Sequence, residues 1–322
     1  MKLPQAMMAS PGPRNKKEAI TLYLKGVLMG IADLIPGVSG GTIAFITGIY
    51  QQLIDAISSV NQEVLKDLLR GRIFHAIGRI HWKFLGVLLG GVFTSVIVFA
   101  RLMHYLMEHH QVMTWGLFFG LILSSIFVLS RSIENIKLKS NIISIIGGAL
   151  FAYVIVGLVP VETPETKLFI FICGLIAIMA MILPGISGSF LLLILGKYQY
   201  ITGAIKAPFA DESMMIIAVF GSGATIGIIG FSKLLKYVLA HYHQATMSFL
   251  TGVLIGSLRK IWPWKNTLET VVIRGKTKVL REENFLPEAM TSEVKYCLVL
   301  MLVGAVLVLA LHFFSERKKR VN

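Results

Sequence analysis

The chain has 322 residues, 55% of them hydrophobic and only 15% charged, with a formal net charge of +14. Soluble domains carry roughly a quarter charged residues, so this composition excludes an ordinary soluble class and, with its long apolar runs, points to a polytopic helical membrane protein. The basic residues flank the apolar runs (Arg14, Lys16 and Lys17; Arg70, Arg72, Arg79 and Lys83; 317–320). That placement assigns the charge to orientation and anionic headgroups, not to nucleic acid.

A polar, basic tail, 1–18, comes first, and no cleavable signal peptide is read in it. Ten apolar elements follow, at roughly 19–35, 38–57, 84–107, 112–130, 141–159, 167–183, 187–205, 214–240, 245–262 and 295–314. None shows strand-period alternation, which argues against a membrane barrel. The expectation is an all-α fold with a basic tail at 315–322. Cys173 and Cys297 lie in apolar runs without CxxC spacing, so neither a disulfide framework nor a zinc site is indicated.

Between the first two elements runs "DLIPGVSGGT", 33–42. Pro36 ends the preceding helix and has no N–H, and Gly37 permits a close turn. Ser39 then stands where a new helix starts, as a candidate N-cap. The N–H groups of Gly40, Gly41 and Thr42 would carry the positive end of the helix dipole and admit an anion. Exposed N–H groups are costly in lipid, so the break must line a polar site or lie buried in protein. Close packing through small residues is the competing explanation.

The break recurs as "MILPGISGSF", 181–190, with Pro184, Gly185, Ser187, Gly188 and Ser189. At an offset of 148, Gly26/Gly174, Pro36/Pro184, Ser39/Ser187, Gly48/Gly196, Tyr50/Tyr198 and Gln51/Gln199 match. Further on the offset is 132, matching Gly91/Gly223, Tyr105/Tyr237, His109/His241, Thr114/Thr246 and Gly120/Gly252. Two repeats follow, 19–159 and 160–314. Each holds five elements and begins with a broken, re-entrant hairpin. Five is odd, so the second repeat is expected inverted relative to the first, with its break opposed to the first near the membrane midplane.

Arg101 and Lys233 are repeat partners inside apolar elements. Intramembrane cations mark functional sites unless they snorkel to headgroups. Asp33 has no equivalent, since Met181 stands opposite; it is a candidate for proton carriage or for pairing with a cation. His109 and His241 fall at element ends and read as interfacial residues, not metal ligands.

With both termini in the cytoplasm, most loops obey the positive-inside rule. The polar loop 263–294 does not: it would lie outside with Lys265, Arg274, Lys276, Lys278 and Arg281. Its "TVVIRGKTKVL" alternates and turns at Arg-Gly-Lys, which predicts a small hairpin with a basic surface.

"ADLIPGVSGGTIAFITGIYQQLI" and the degenerate copy "PGISGSFLLLILGKYQYI" make the chain resemble the bacterial polyprenyl-phosphate transporter family over about 20–315. The resemblance implies translocation of undecaprenyl phosphate, the C55 carrier of envelope polysaccharide synthesis, from the outer to the inner leaflet of the plasma membrane for reuse. The phosphate would lie at Ser39, Gly40, Gly41, Thr42, Ser187, Gly188 and Ser189, with Arg101 or Lys233 neutralising it and the tail left in lipid. Because Gly41 and Thr42 become Ser189 and Phe190, the second copy is expected to pack more and bind less. No cofactor, metal or nucleic acid is implied; the partners are undecaprenyl phosphate and membrane lipids. The alternative is a small-anion transporter or channel. A lipid-phosphate phosphatase would need a histidine near a break, and none lies there, so an enzyme is not expected.

Overall fold

The structure is a computed structural model that describes residues 10–35, 38–60, 62–131, 133–159, 161, 163–210, 212–273 and 276–321. Helix α1 spans Lys16–Asp33. Asn15 caps it by accepting the Glu18 N–H at 2.9 Å, while Glu18 reaches back to the Arg14 N–H at 2.8 Å. This reciprocal cap satisfies two donors that the first turn cannot use. After the break come α2 (Gly40–Ile46) and α3 (Tyr50–Ser58). The run expected as one element at 38–57 is thus two short helices, divided at Gly48, where φ is +71°. Only glycine adopts that conformation without strain.

The connection beyond contains two helices that the sequence reading missed, α4 (Gln62–Leu69) and α5 (Ile73–Arg79). Arg79 ties them together, bonding Glu63 and lying 3.0 Å from Asp67. The first half closes with α6 (Trp82–His109), α7 (Gln111–Arg131) and α8 (Lys139–Val156). The second half opens with α9 (Lys167–Ile182), then α10 (Gly188–Ile194) and α11 (Tyr198–Lys206), divided at Gly196 with φ +65°. It continues with α12 (Ser213–His241) and α13 (His243–Ile261) and ends with α14 (Ser292–Val321).

Among the described residues, five helices are long and apolar enough to cross a membrane: α6, α7, α8, α12 and the 292–310 part of α14. The chain is therefore a polytopic helical membrane protein; of the ten expected hydrophobic elements, five stand among these long apolar helices. Helix α9 is apolar but has only 16 residues. Helices α2 and α10 have seven residues each, about 10 Å of rise, too short to span.

Between α13 and α14 the expected hairpin is present. Strands β1 (Lys265–Ile273) and β2 (Lys276–Asn284) pair antiparallel, from Lys265 opposite Asn284 to Ile273 opposite Lys276. The predicted turn residues Arg274 and Gly275 lie outside the described residues. Among the described residues the chain is thus helical with one added two-stranded sheet.

Helices pack through glycines that bring backbones together. In α1 and α6, Gly26 faces the Leu88 carbonyl and Gly91 faces that of Tyr23. In α9 and α12, Gly174 faces Phe220 and Gly223 faces Phe171 in the same way. These are the pairs matched at offsets 148 and 132. Small residues in such positions let helices approach where no hydrophobic force separates protein from lipid. Two further extensive pairings cross between halves. Helix α7 packs on α14, with Gly120 at the Met301 carbonyl, and α8 packs on α13, with Gly252 at the Ile145 carbonyl. Each half therefore lends its last helix to the other. Local geometry repeats as well: Tyr105 stacks on His109 with ring centroids 4.5 Å apart, and Tyr237 on His241 at 4.2 Å.

Candidate functional site

Each break is built by a helix that stops short and a seven-residue helix that restarts. At the first, Ser39 has extended backbone and caps α2: its Oγ accepts the Gly41 N–H at 3.1 Å. The same hydroxyl donates to the Met181 carbonyl at 3.2 Å, in the other half of the chain. Asp33 closes the remaining donor, its Oδ1 accepting the Gly40 N–H at 2.6 Å. The Thr42 N–H returns to the Ser39 carbonyl at 2.9 Å. A carboxylate at a helix N-terminus is a favourable partner for these groups. The chain's own acid therefore occupies the position expected for an external anion, and it pairs with no cation among the described residues. Pro36 and Gly37 lie outside the described residues.

The second break docks onto the first. Gly185, at φ +87°, donates its N–H to Thr42 Oγ1 at 2.8 Å, and Thr42 is fully buried. A Cβ on Gly41 would stand 2.9 Å from the Met181 and Ile182 carbonyls, so only glycine permits this approach. Ser39, Gly40, Gly41, Thr42, Pro184, Gly185, Ser187 and Gly188 are all buried there.

The second tip also restarts a seven-residue helix after an extended serine, with different bonding. Ser187 occupies the N-cap position of α10 but makes no cap bond; its hydroxyl pairs with that of Ser189 at 2.8 Å. No carboxylate stands where Asp33 does, because Met181 takes that place. Among the described residues the N–H groups of Gly188 and Ser189 have no hydrogen-bond partner, and Ser189 is exposed. Two residues of α13 flank this tip. Ser257 lies against Gly185, and Lys260 Nζ sits 4.8 Å over the Phe190 ring.

Arg101 and Lys233 are both exposed on the flanks of α6 and α12, and among the described residues no hydrogen bond joins either to the tips. The cation that does come near, Lys260, escaped the sequence reading because it is the end of an apolar run with no repeat partner. Lys260 belongs to a cluster at the root of the hairpin. Its Nζ is 3.2 Å from Glu282 Oε2, and Lys265 Nζ is 3.4 Å from the same oxygen. Lys265 also donates to the Lys260 carbonyl at 2.6 Å and lies over the Trp115 ring. Far from being a solvated basic loop residue, Lys265 leaves only 8% of its side chain exposed.

Burial brings the Lys265 ammonium down to about 8, Glu282 opposing and Lys260 adding to the shift. Glu282 is held below its ordinary value: burial acts against ionisation, but the two ammonium groups outweigh it. For Lys265 the folded value lies below the unfolded one, so the unfolded chain binds more protons between them and stability rises with pH from about 8 towards 10.5. Glu282 contributes stability above its unfolded value, and that is lost as pH falls through its folded value. Thermal unfolding of wild type and Lys265→Met against pH should show a rise above pH 8 that the variant lacks. Parallel profiles would count against the assignment.

Residues 29–279 match the family model described as undecaprenyl phosphate translocase-like. The chain belongs to this family. It is 43% identical over 305 residues to the polyprenyl-phosphate transporter of Vibrio cholerae serotype O1, covering 92% of this chain and 97% of that one. It is also 34% identical over 259 residues to the polyprenyl-phosphate transporter of Staphylococcus aureus, covering 74% and 85% respectively. No solved structure matches the chain. The matched segment of this translocase-like family takes in both breaks, Lys260 and Lys265, and ends before Glu282.

Proposed function

We propose that the chain moves undecaprenyl phosphate across the bacterial plasma membrane, returning the lipid carrier to the inner leaflet for envelope polysaccharide synthesis. The observation that carries this reading is the pair of docked breaks, one closed by Asp33 and the other with its first N–H groups unspent and its two hydroxyls bonded to each other. A phosphate needs several donors in a small space, and Gly188 N–H, Ser189 N–H and the Ser187 and Ser189 hydroxyls offer them. Lys260 supplies positive charge beside them. At the first tip a phosphate would have to displace Asp33 from Gly40, so the acid acts as a resident competitor. The polyprenyl tail stays in lipid, outside the protein. Arg101 and Lys233 then serve as outer cations that the headgroup meets on approach.

In this reading the two breaks are re-entrant tips and the halves form an inverted pair, with both termini cytoplasmic. The reciprocal lending of α8 and α14 supports a two-fold relation, since each repeat-related helix of the α7/α13 pair receives the other half's last helix. Rocking of one half on the other would expose the docked tips to each side in turn.

Proteoliposomes that report movement of undecaprenyl phosphate between leaflets test the reading. Wild type should move the lipid, and the double variant Ser187→Ala, Ser189→Ala should slow it about tenfold or more, from the loss of charged hydrogen bonds. No movement by wild type would sink the transport reading; an unimpaired double variant would sink the placement of the phosphate.

A further inference from the structure

We propose that the cleft between α1, α3 and the start of α6 is a second anion site, which takes a phosphate monoester or free phosphate on Lys25. The cleft encloses about 560 Å³, within the roughly 300–1,000 Å³ typical of small-ligand pockets. Asn15, Thr21 and His81 face it beside the apolar Leu22, Ile49 and Phe84. It therefore suits a polar head with an apolar stem.

Its charges do not cancel. Five ionisable side chains line it, Lys17, Lys25, His81, Glu18 and Asp55, and with Lys236 beside Asp55 three lysines face two acids. Both acids are already engaged: Glu18 takes the Arg14 N–H and the Asn15 amide, and Asp55 pairs with Lys236 at 2.8 Å. Lys25 has no carboxylate within ion-pair distance among the described residues. Its ammonium donates to one neutral group, the Thr47 carbonyl, at 2.7 Å. An ammonium has three donors, and a half-buried cation is ordinarily paired. The missing partner is an anion from outside the chain.

The second half serves as an internal control. At offset 148, Thr21 becomes Phe169, Lys25 becomes Cys173, Gln52 becomes Tyr200 and Asp55 becomes Gly203. There the equivalent space is filled: Cys173 is buried with Phe169 and Tyr200 packed around it. The lysine of that region, Lys197, bonds the Thr163 carbonyl at 2.7 Å and pairs with Glu165 at 3.6 Å. The same backbone is closed and neutralised in one half, open and one cation in excess in the other. A tetrahedral oxyanion, with acceptors in several directions, fits the remaining ammonium donors of Lys25 and the Gln52 amide in the same lining.

The lipid source rests on the transport reading above; the free-ion source does not. A thiol introduced as Gln52→Cys reports occupancy in the full chain in nanodiscs, because Cys173 and Cys297 are buried. Labelling by a water-soluble maleimide is followed with undecaprenyl phosphate, undecaprenol or inorganic phosphate present. Protection by undecaprenyl phosphate and not by undecaprenol identifies a lipid headgroup; protection by inorganic phosphate alone identifies the free ion. Adding Lys25→Gln should raise the half-protecting concentration about tenfold or more, and Lys25→Arg should restore it. Thr21→Phe, which copies the closed half, should abolish protection and guards against misfolding of the lysine variant. Protection by neither phosphate, equal protection by undecaprenol, or indifference to Lys25→Gln overturns the site. Movement of lipid in proteoliposomes without protection sinks this cleft alone, whereas protection without movement sinks the transport reading and leaves the cleft.

Discussion

Thr42→Val should lower the stability of the purified protein by about 1–3 kcal/mol, the cost of leaving a buried donor unpaired. The valine keeps the shape but removes Oγ1, and the Gly185 N–H then faces a methyl group in a fully buried position. Thr42 has no exposed surface, so bulk water does not reach the lost acceptor's place. Thr42→Ser retains the acceptor and should stay near wild type. Thermal unfolding in detergent separates the two. If transport depends on the docking of the tips, Thr42→Val also lowers lipid movement more than it lowers the yield of folded protein. Equal stability of the valine and serine variants would mean that the tips are held by packing alone.

The second large effect is expected from Gly120→Leu. A Cβ at that position would sit inside the Met301 carbonyl group, backbone against backbone, with no side chain able to move aside. Helices α7 and α14 must then separate along their contact, and α14 loses its seat. Overpacking in ordinary cores costs about 1–3 kcal/mol, occasionally more; here both elements are backbone, so loss of folded protein is the expected outcome. Gly147→Leu on α8 is the control, since nothing lies within 4 Å of a Cβ there. Size-exclusion profiles after membrane extraction should show a folded peak for the control and none for Gly120→Leu. Comparable peaks would show that α14 can be seated without close contact.

The breaks, their pairing and the cap at Ser39 were legible because proline, glycine and serine act locally and the chain states the motif twice. Tyr105/His109 and Tyr237/His241 were legible for the same reason: a matched aromatic and histidine in register means matched backbone. Asp33 was readable as unusual but not as a cap, since its bond to Gly40 spans a turn whose geometry no local pattern dictates. Lys260, Glu282 and Lys265 were beyond reach for another reason. Their cluster exists only once a hairpin folds back over the end of α13, and a charge in a polar loop looks solvated until its neighbours are known. The extra cuts at Gly48 and Gly196 were hidden by continuous hydrophobicity, which masks a helix end when the break falls in apolar company.

The lending of α14 to α7 sets an order in time. The glycine face of α7 enters the bilayer long before its partner has been synthesised, because Met301 and Gly304 come from the far end of the chain. Helix α8 waits likewise for Gly252 and Gly256 of α13. During biogenesis both first-half helices present unfilled backbone grooves to lipid or to a membrane chaperone, and maturation is complete only when the last helix arrives. Splitting the protein between its halves would leave each fragment with two helix faces that only the other fragment can fill, so co-expressed halves should find one another where either alone is degraded.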